Sequence, residues 1–319
     1  MTEINRREAL RILGLGATSV VATAACSRLA TSETPHLTFP VPAGPILTKS
    51  IPSSGEAIPV IGLGTARTFN VGSTAAEQQP LEEVLKAFAA AGGKVVDSSP
   101  MYGAAEQVVG DLTAKLSLRP KLFIATKVWT TGAAAGVKQM EESERKLRAT
   151  PIDLMQVHNL VDVETQLATL AEWKSKKRIR YFGVTHSNDD AYEAVERVIA
   201  AHKMDFLQIN YSVTEREAEQ RLLPLAKERG VAVLANRPFA RGNLFTNVRS
   251  KPLPGWAAEI DCKSWAQVLL KFVVSHPAVT CAIPATSKVE HLRDNMNAAF
   301  GRLPDAKLRA QMANEILAA

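Results

Sequence analysis

From Ile58 onward the chain repeats one pattern: a short apolar run, a polar loop, then apolar residues at three-to-four spacing. The runs, such as Leu122-Phe123-Ile124-Ala125, lack the in–out alternation of a half-exposed strand. They read as strands buried on both faces, as parallel strands packed between helices must be. Stretches such as Leu81-Glu82-Glu83-Val84-Leu85-Lys86-Ala87-Phe88 carry the single apolar stripe of an amphipathic helix.

The pattern predicts eight strand–helix units. The first four pair strand 60–64 with helix 81–91, strand 94–98 with a helix from 105, strand 122–127 with helix 137–148, and strand 153–158 with helix 164–176. The second four pair strand 180–185 with helix 192–201, strand 206–211 with helix 217–229, strand 231–236 with helix 264–274, and strand 280–283 with helix 289–300. A hairpin over 46–58, turning at Ser53-Ser54-Gly55, precedes them, and a last helix over 306–317 follows. Eight successive units favour a closed barrel over an open sheet. The expected fold is α/β: a (β/α)8 TIM barrel, residues 46–319, with an N-terminal hairpin as bottom plug and a C-terminal helix.

The length of 319 residues fits one such barrel, and 46% hydrophobic with 22% charged residues is a composition able to fill a large core. The net charge of +6 is mild. Its one dense run, Lys174, Lys176, Lys177, Arg178 and Arg180, reads as a solvated helix end, where cations suit the dipole. No aromatic interleaving points to nucleic acid. No metal-ligand spacing appears among the histidines and the three cysteines. Cys262 and Cys281 are expected to be buried free thiols.

The N-terminus has a different character. Arg6-Arg7 precede an uncharged apolar run over 12–25, about 14 residues and so shorter than the ~20 of a membrane span. Asn5-Arg6-Arg7-Glu8-Ala9-Leu10 resembles a twin-arginine signal, which exports folded proteins. Ala22-Thr23-Ala24 fits an A-x-A cleavage site, and Thr23-Ala24-Ala25-Cys26 resembles a lipoprotein box with Cys26 as lipid anchor. The expectation is a signal peptide over 1–26, a Ser/Thr/Pro-rich linker over 27–45, and a barrel exported to the periplasm or anchored on the outer side of a membrane.

In barrels of this kind chemistry sits at the C-terminal ends of the strands. The second strand ends in Asp97, with Tyr102 in the loop after it; the third ends in Lys127 and the fourth in His158. Adjacent strands lie ~4.8 Å apart, so these side chains converge over the barrel mouth. Singly, the Asp is a turn residue, the Lys a solvated strand end, and the His and Tyr packing residues. Together at converging ends they read as a catalytic set.

These residues also carry a family resemblance. Val95-Val96-Asp97-Ser98-Ser99-Pro100-Met101-Tyr102-Gly103 with Glu106 and Gly110, Phe123-Ile124-Ala125-Thr126-Lys127, Asp153 to His158, and Gln208-Ile209-Asn210-Tyr211 resemble, in order, segments of the aldo-keto reductases. The resemblance implies reduction of an aldehyde or ketone by hydride from a nicotinamide cofactor. Tyr102 would be the general acid. Lys127 would lower the phenol pKa from its usual ~10. Asp97 would hold Lys127, and His158 would orient the substrate oxygen.

No G-x-G-x-x-G follows an early strand, so the cofactor is not expected on a Rossmann unit. The resemblance lays it across the barrel mouth instead. Thr185 and His186 stand where the family has Ser-Asn on the carboxamide, and Gln208 matches the other carboxamide ligand. Asn236 and Arg237 replace the family's stacking aromatic, with Arg237 placed for the pyrophosphate. Thr286, Ser287, Lys288, His291 and Asn295 fall in the adenine and 2′-phosphate segment, where Ala285 and His291 replace the usual Lys and Arg. NADP(H) is the expected cofactor, with NAD(H) the alternative. Phe69, Trp129, Phe239 and Trp256 are candidates to line the substrate pocket. A second reading keeps the cofactor but makes the barrel a non-catalytic sensor or partner subunit. A Schiff-base role for Lys127 is disfavoured by its carboxylate partner.

Overall fold

The computed structural model describes Pro40, Pro42, residues 44–248 and residues 250–318. The expected signal peptide, Cys26 and the linker before residue 40 lie outside the described residues. The chain enters the barrel through a hairpin, β1 (Thr48–Ser50) and β2 (Ala57–Pro59), paired antiparallel with Lys49 opposite Ile58. Its loop is closed by the Ile51 N–H on the Glu56 carbonyl at 2.8 Å. Ile51 and Ile58 are driven into the lower end of the barrel, where they share a buried cluster with Phe123, Tyr181 and Phe206. The three rings pack with centroids 5.7–5.9 Å apart. The expected hairpin plug is there, and its anchors are two isoleucines against an aromatic triad.

Eight parallel strands follow in unbroken sequence order: β3 (Leu63–Gly64), β4 (Val95–Asp97), β5 (Phe123–Val128), β6 (Ile152–His158), β7 (Ile179–His186), β8 (Phe206–Asn210), β9 (Ala232–Asn236) and β10 (Val279–Ala282). The seam between first and last strand is closed by the Gly62 N–H on Ala282 O (2.8 Å), the Ala282 N–H on Val60 O (2.9 Å) and the Gly64 N–H on Pro284 O (3.0 Å). Gly64 permits this approach, since a Cβ there would stand 2.8 Å from the Ile283 carbonyl. The fold is the expected (β/α)8 barrel. The predicted first strand, 60–64, is present but contributes only Leu63–Gly64 to a regular ladder.

The helices are α1 (Ala75–Ala90), α2 (Ala105–Lys115), α3 (Ala133–Leu147), α4 (Val163–Ser175), α5 (Tyr192–Ala201), α6 (Leu222–Glu228), α7 (Asn243–Val248), α8 (Trp265–Val274), α9 (Val289–Asn297) and α10 (Ala306–Leu317). Three depart most from the sequence reading. α1 begins six residues earlier than expected, because Thr74 and Glu77 form a reciprocal capping box, and it tolerates Pro80 inside. α6 is shorter than expected. Pro224 has no N–H and crowds the carbonyl four residues back, so Glu217–Glu219 form a separate 3-10 turn. α7, with a 3-10 helix over Gly255–Ile260, occupies a stretch to which no element was assigned. α10 is tied to the barrel by Arg309, which donates to Tyr211 Oη (2.7 Å) and Glu219 Oε1 (3.0 Å). Cys262 and Cys281 are buried free thiols, as expected.

Helix α2 lies close on α3. A Cβ on Gly110 would stand 1.9 Å from the Lys146 carbonyl and 2.9 Å from the Leu147 Cα, both backbone atoms of α3. Overpacking of this kind costs ~1–3 kcal/mol. Gly110→Ala is therefore expected to lower the thermal midpoint by ~3 °C or more, at ~2–4 °C per kcal/mol. An unchanged midpoint in calorimetry would contradict the close helix–helix contact.

Candidate active site

Parallel pairing brings the ends of β4, β5 and β6 to one face. Asp97 pairs with Ala125, and Lys127 pairs with Gln156 two residues before His158. The Lys127 ammonium, 1% exposed, donates to both Asp97 oxygens at 2.8 Å and to the Ser98 carbonyl at 2.7 Å. Asp97 accepts a further bond from the Gln208 amide at 3.2 Å. Burial presses the Lys127 pKa downward, but Asp97, followed by Tyr102, outweighs it and the net shift is upward. Burial pushes the Asp97 pKa up against the opposing pull of Lys127. Lys127 is thus held as an ammonium in a dry site.

Tyr102 is delivered by the 3-10 turn Pro100–Tyr102, whose cap Ser99 accepts the Met101 N–H. The half-buried ring has its centroid 5.3 Å from Lys127 Nζ and 6.2 Å from the His158 ring, which stands perpendicular to it. Sequence reasoning expected Lys127 to lower the phenol pKa. Lys127 does pull in that direction, but burial is larger and the net shift is upward. His158 is buried, and desolvation, then Lys127 and His186, lower its pKa to about 3. It is therefore a neutral imidazole, with Nδ1 3.1 Å from Ser99 Oγ. The four expected catalytic residues stand together.

The residues expected at the cofactor fall into two groups. Thr185 lies at the end of β7 opposite His158, and His186 follows it with Nδ1 accepting the Asn188 N–H at 3.1 Å. That bond leaves Nε2 of the neutral His186 as a donor. Gln208 is fully buried and already committed: it donates to Asp97 and, at 2.8 Å, to Asn236 Oδ1, and accepts from Gln156 at 2.5 Å. Asn236, in place of an aromatic, therefore props an amide network instead of offering a ring. Arg237 sits beyond it at φ 49°, half-buried, with no ion pair among the described residues. Burial, then Arg241, lowers its pKa.

The second group surrounds the start of α9. Thr286 Oγ1 accepts the Lys288 N–H at 3.1 Å, Ser287, Lys288 and His291 are exposed, and Asn295 is buried. A backbone bridge between Gly64 and Ala285 fixes this segment beside the first strand, and no bond links it to the Asp97–Lys127 centre among the described residues. Of the candidates for the pocket wall, Phe69 is fully buried in the core, and Trp256, 7% exposed, donates its indole N–H to Glu315 at 2.7 Å. Both are packing residues. Trp129 is exposed, and Phe239 packs on Phe245 at 4.9 Å. A concavity of 460 Å³ lies at the opposite end of the barrel, where its Lys174 and Arg180 are paired with Asp205, Asp153 and Glu56. It holds no catalytic set.

Sequence reasoning missed Ser99, Gln156 and Thr65, whose hydroxyl donates to the Asp97 carbonyl at 2.9 Å. Gln156 was within reach: strand period two puts it on the face of His158.

Comparison with known proteins agrees with this geometry. Residues 60–312 match the model of the "Aldo/keto reductase family". The chain is 28% identical over 268 residues to the methylglyoxal reductase YeaE of Escherichia coli, covering 82% of this chain and 92% of that protein. It is 27% identical to the aldo-keto reductase str7 of Strobilurus tenacellus, over 72% of this chain and 79% of that one. A solved aldo-keto reductase from Klebsiella pneumoniae in complex with NADPH superposes with a TM-score of 0.73 at 25% identity, covering 86% of this chain and 96% of that one. With a family model spanning most of its length and Asp97, Tyr102, Lys127 and His158 gathered at the barrel mouth, the chain belongs to the aldo/keto reductase family.

Proposed function

We propose that this protein reduces aldehydes or ketones to alcohols with NADP(H), Tyr102 giving the proton. The observation that carries this reading is the Lys127 ammonium bonded to both Asp97 oxygens beneath the Tyr102 ring. When bound, the dihydronicotinamide supplies the hydride. As negative charge grows on the carbonyl oxygen, Tyr102 transfers its phenolic proton to that atom. Lys127 stabilises the phenolate left behind, and Asp97 keeps Lys127 charged and fixed. Neutral His158 orients the oxygen by hydrogen bonding.

The residues present fit the cofactor. His186 Nε2 and the Thr185 hydroxyl offer donors, and Asn159 Oδ1, on the residue after His158, is a buried acceptor lacking a partner among the described residues. Together they match a carboxamide, which both donates and accepts. The half-buried Arg237, without an ion pair among the described residues, suits the pyrophosphate. Lys288, Thr286, Ser287 and the first turn of α9 suit the 2′-phosphate. The K. pneumoniae relatives are described with NADPH and with NADP, which supports the same choice. The converging catalytic residues favour an enzyme over a sensor of the same fold.

The reading extends to location: Arg6-Arg7, the apolar run and Cys26 support export of the loaded barrel, with Cys26 as candidate lipid anchor. Replacing Arg6 and Arg7 by Lys is expected to retain the chain in the cytoplasm on fractionation. A wild-type protein found there with residues 1–25 intact would overturn the export proposal.

For the chemistry, methylglyoxal and a panel of aldehydes and ketones are the first substrates. Tyr102→Phe is expected to lower kcat by ~100-fold or more while NADPH still quenches tryptophan fluorescence as in the wild type. Tyr102 is raised above its usual value of ~10 and His158 is neutral above about 3, so neither group changes protonation near neutrality. The rate is expected to be flat through the ordinary histidine range and to fall at alkaline pH as Tyr102 ionises. A mutant with full turnover, or an inflection near the ordinary histidine value of ~6.5, would contradict these roles.

A further inference from the structure

Ser99 is completely buried, and its hydroxyl lies 3.1 Å from His158 Nδ1. The hydroxyl oxygen already accepts the Met101 N–H at 3.2 Å, which closes the turn carrying Tyr102. Its single proton then needs an acceptor, and among the described residues His158 Nδ1 is the only one in reach. If Nδ1 instead carried the imidazole proton, the serine proton would be left buried without a partner, a state that native structures avoid. We infer that Ser99 is a positioning residue that fixes His158 as the Nε2–H tautomer by donating its hydroxyl proton to Nδ1. The inference rests on the carbonyl-reductase reading and deepens it.

The consequence is directional. With Nδ1 acting only as an acceptor, Nε2 can only donate, and a carbonyl oxygen, which can only accept, is the matching partner. Ser99 thereby couples two parts of the site. The same oxygen that shapes the Tyr102 turn orders the imidazole 6.2 Å from the Tyr102 ring. Burial, then the Lys127 ammonium and His186 nearby, disfavour a doubly protonated ring, so tautomer choice is the state left to set.

The test is nitrogen-15 NMR of histidine-labelled full-length protein with NADPH, read beside kinetics. The wild type is expected to show His158 protonated at Nε2 alone. Ser99→Ala is expected to give a mixture of tautomers and to lower kcat by about tenfold, the scale of one hydrogen bond, with the NADPH Kd unchanged. Ser99→Thr, which keeps the hydroxyl on an extended backbone, is expected to restore both. A Nδ1-protonated wild type would overturn the inference without any mutant. So would Ser99→Ala with an unaltered tautomer and wild-type kcat. The tautomer is read without turnover. NADPH binding without reduction would therefore remove the reductase reading, while the spectrum still reports on Ser99.

Discussion

Two opposite charges placed where water cannot reach them govern the mouth of this barrel. Lys127 and Asp97 are almost wholly buried and meet at 2.8 Å through both carboxylate oxygens. Either ion alone would be strongly disfavoured there, so each requires the other and requires further polar partners. The Ser98 carbonyl completes the lysine, and Gln208 reaches one oxygen of the aspartate. Adjacent parallel strands make the pairing possible, because Asp97 lies beside Ala125, two residues before Lys127 on β5. The pair in turn pins the start of the Ser98–Tyr102 turn and so determines where the phenol stands.

Burial and charge then oppose each other on Asp97, Lys127 and Tyr102, and act together on His158. The Tyr102 phenol is raised by desolvation although an ammonium stands 5.3 Å from its ring. His158 is driven far below its normal range and stays neutral. The outcome is a proton donor that keeps its proton until charge develops next to it, beside an imidazole that only orients. A dry site strengthens the interaction between Lys127 and a developing phenolate, so the electrostatic gain arises in the transition state more than in the resting enzyme.

The strands were legible because residues buried on two faces must be apolar, and the site was legible because three chemically distinct side chains stand at the ends of neighbouring strands, with a tyrosine in the turn after the first. Local rules competing within one segment were harder to weigh. Pro80 masked the Thr74–Glu77 box that starts α1, and Pro224 split a helix that apolar spacing alone would join. The region holding α7 and the turn at Trp256 carries no periodic pattern, and its anchor is the distant Glu315. Phe69 and Trp256 look like pocket residues in sequence, but only packing reveals them as core. The sign of the Tyr102 shift was likewise hidden, since a neighbouring lysine can be inferred from strand order whereas the degree of desolvation cannot. In sequence the substitution at Asn236 reads as the loss of a stacking ring, and His186 as a replacement for the family's Asn. In three dimensions Asn236 supports Gln208, and His186 presents a donor.

The dependence of the site on the ion pair is tested most directly by a double-mutant cycle at Asp97 and Lys127, followed by equilibrium unfolding. Lys127→Met strands the Asp97 charge and is predicted to destabilise the barrel by ~3–5 kcal/mol, with much of that recovered when Asp97→Asn is added. Additive effects, or a single mutant as stable as the wild type, would contradict a buried and mutually dependent pair.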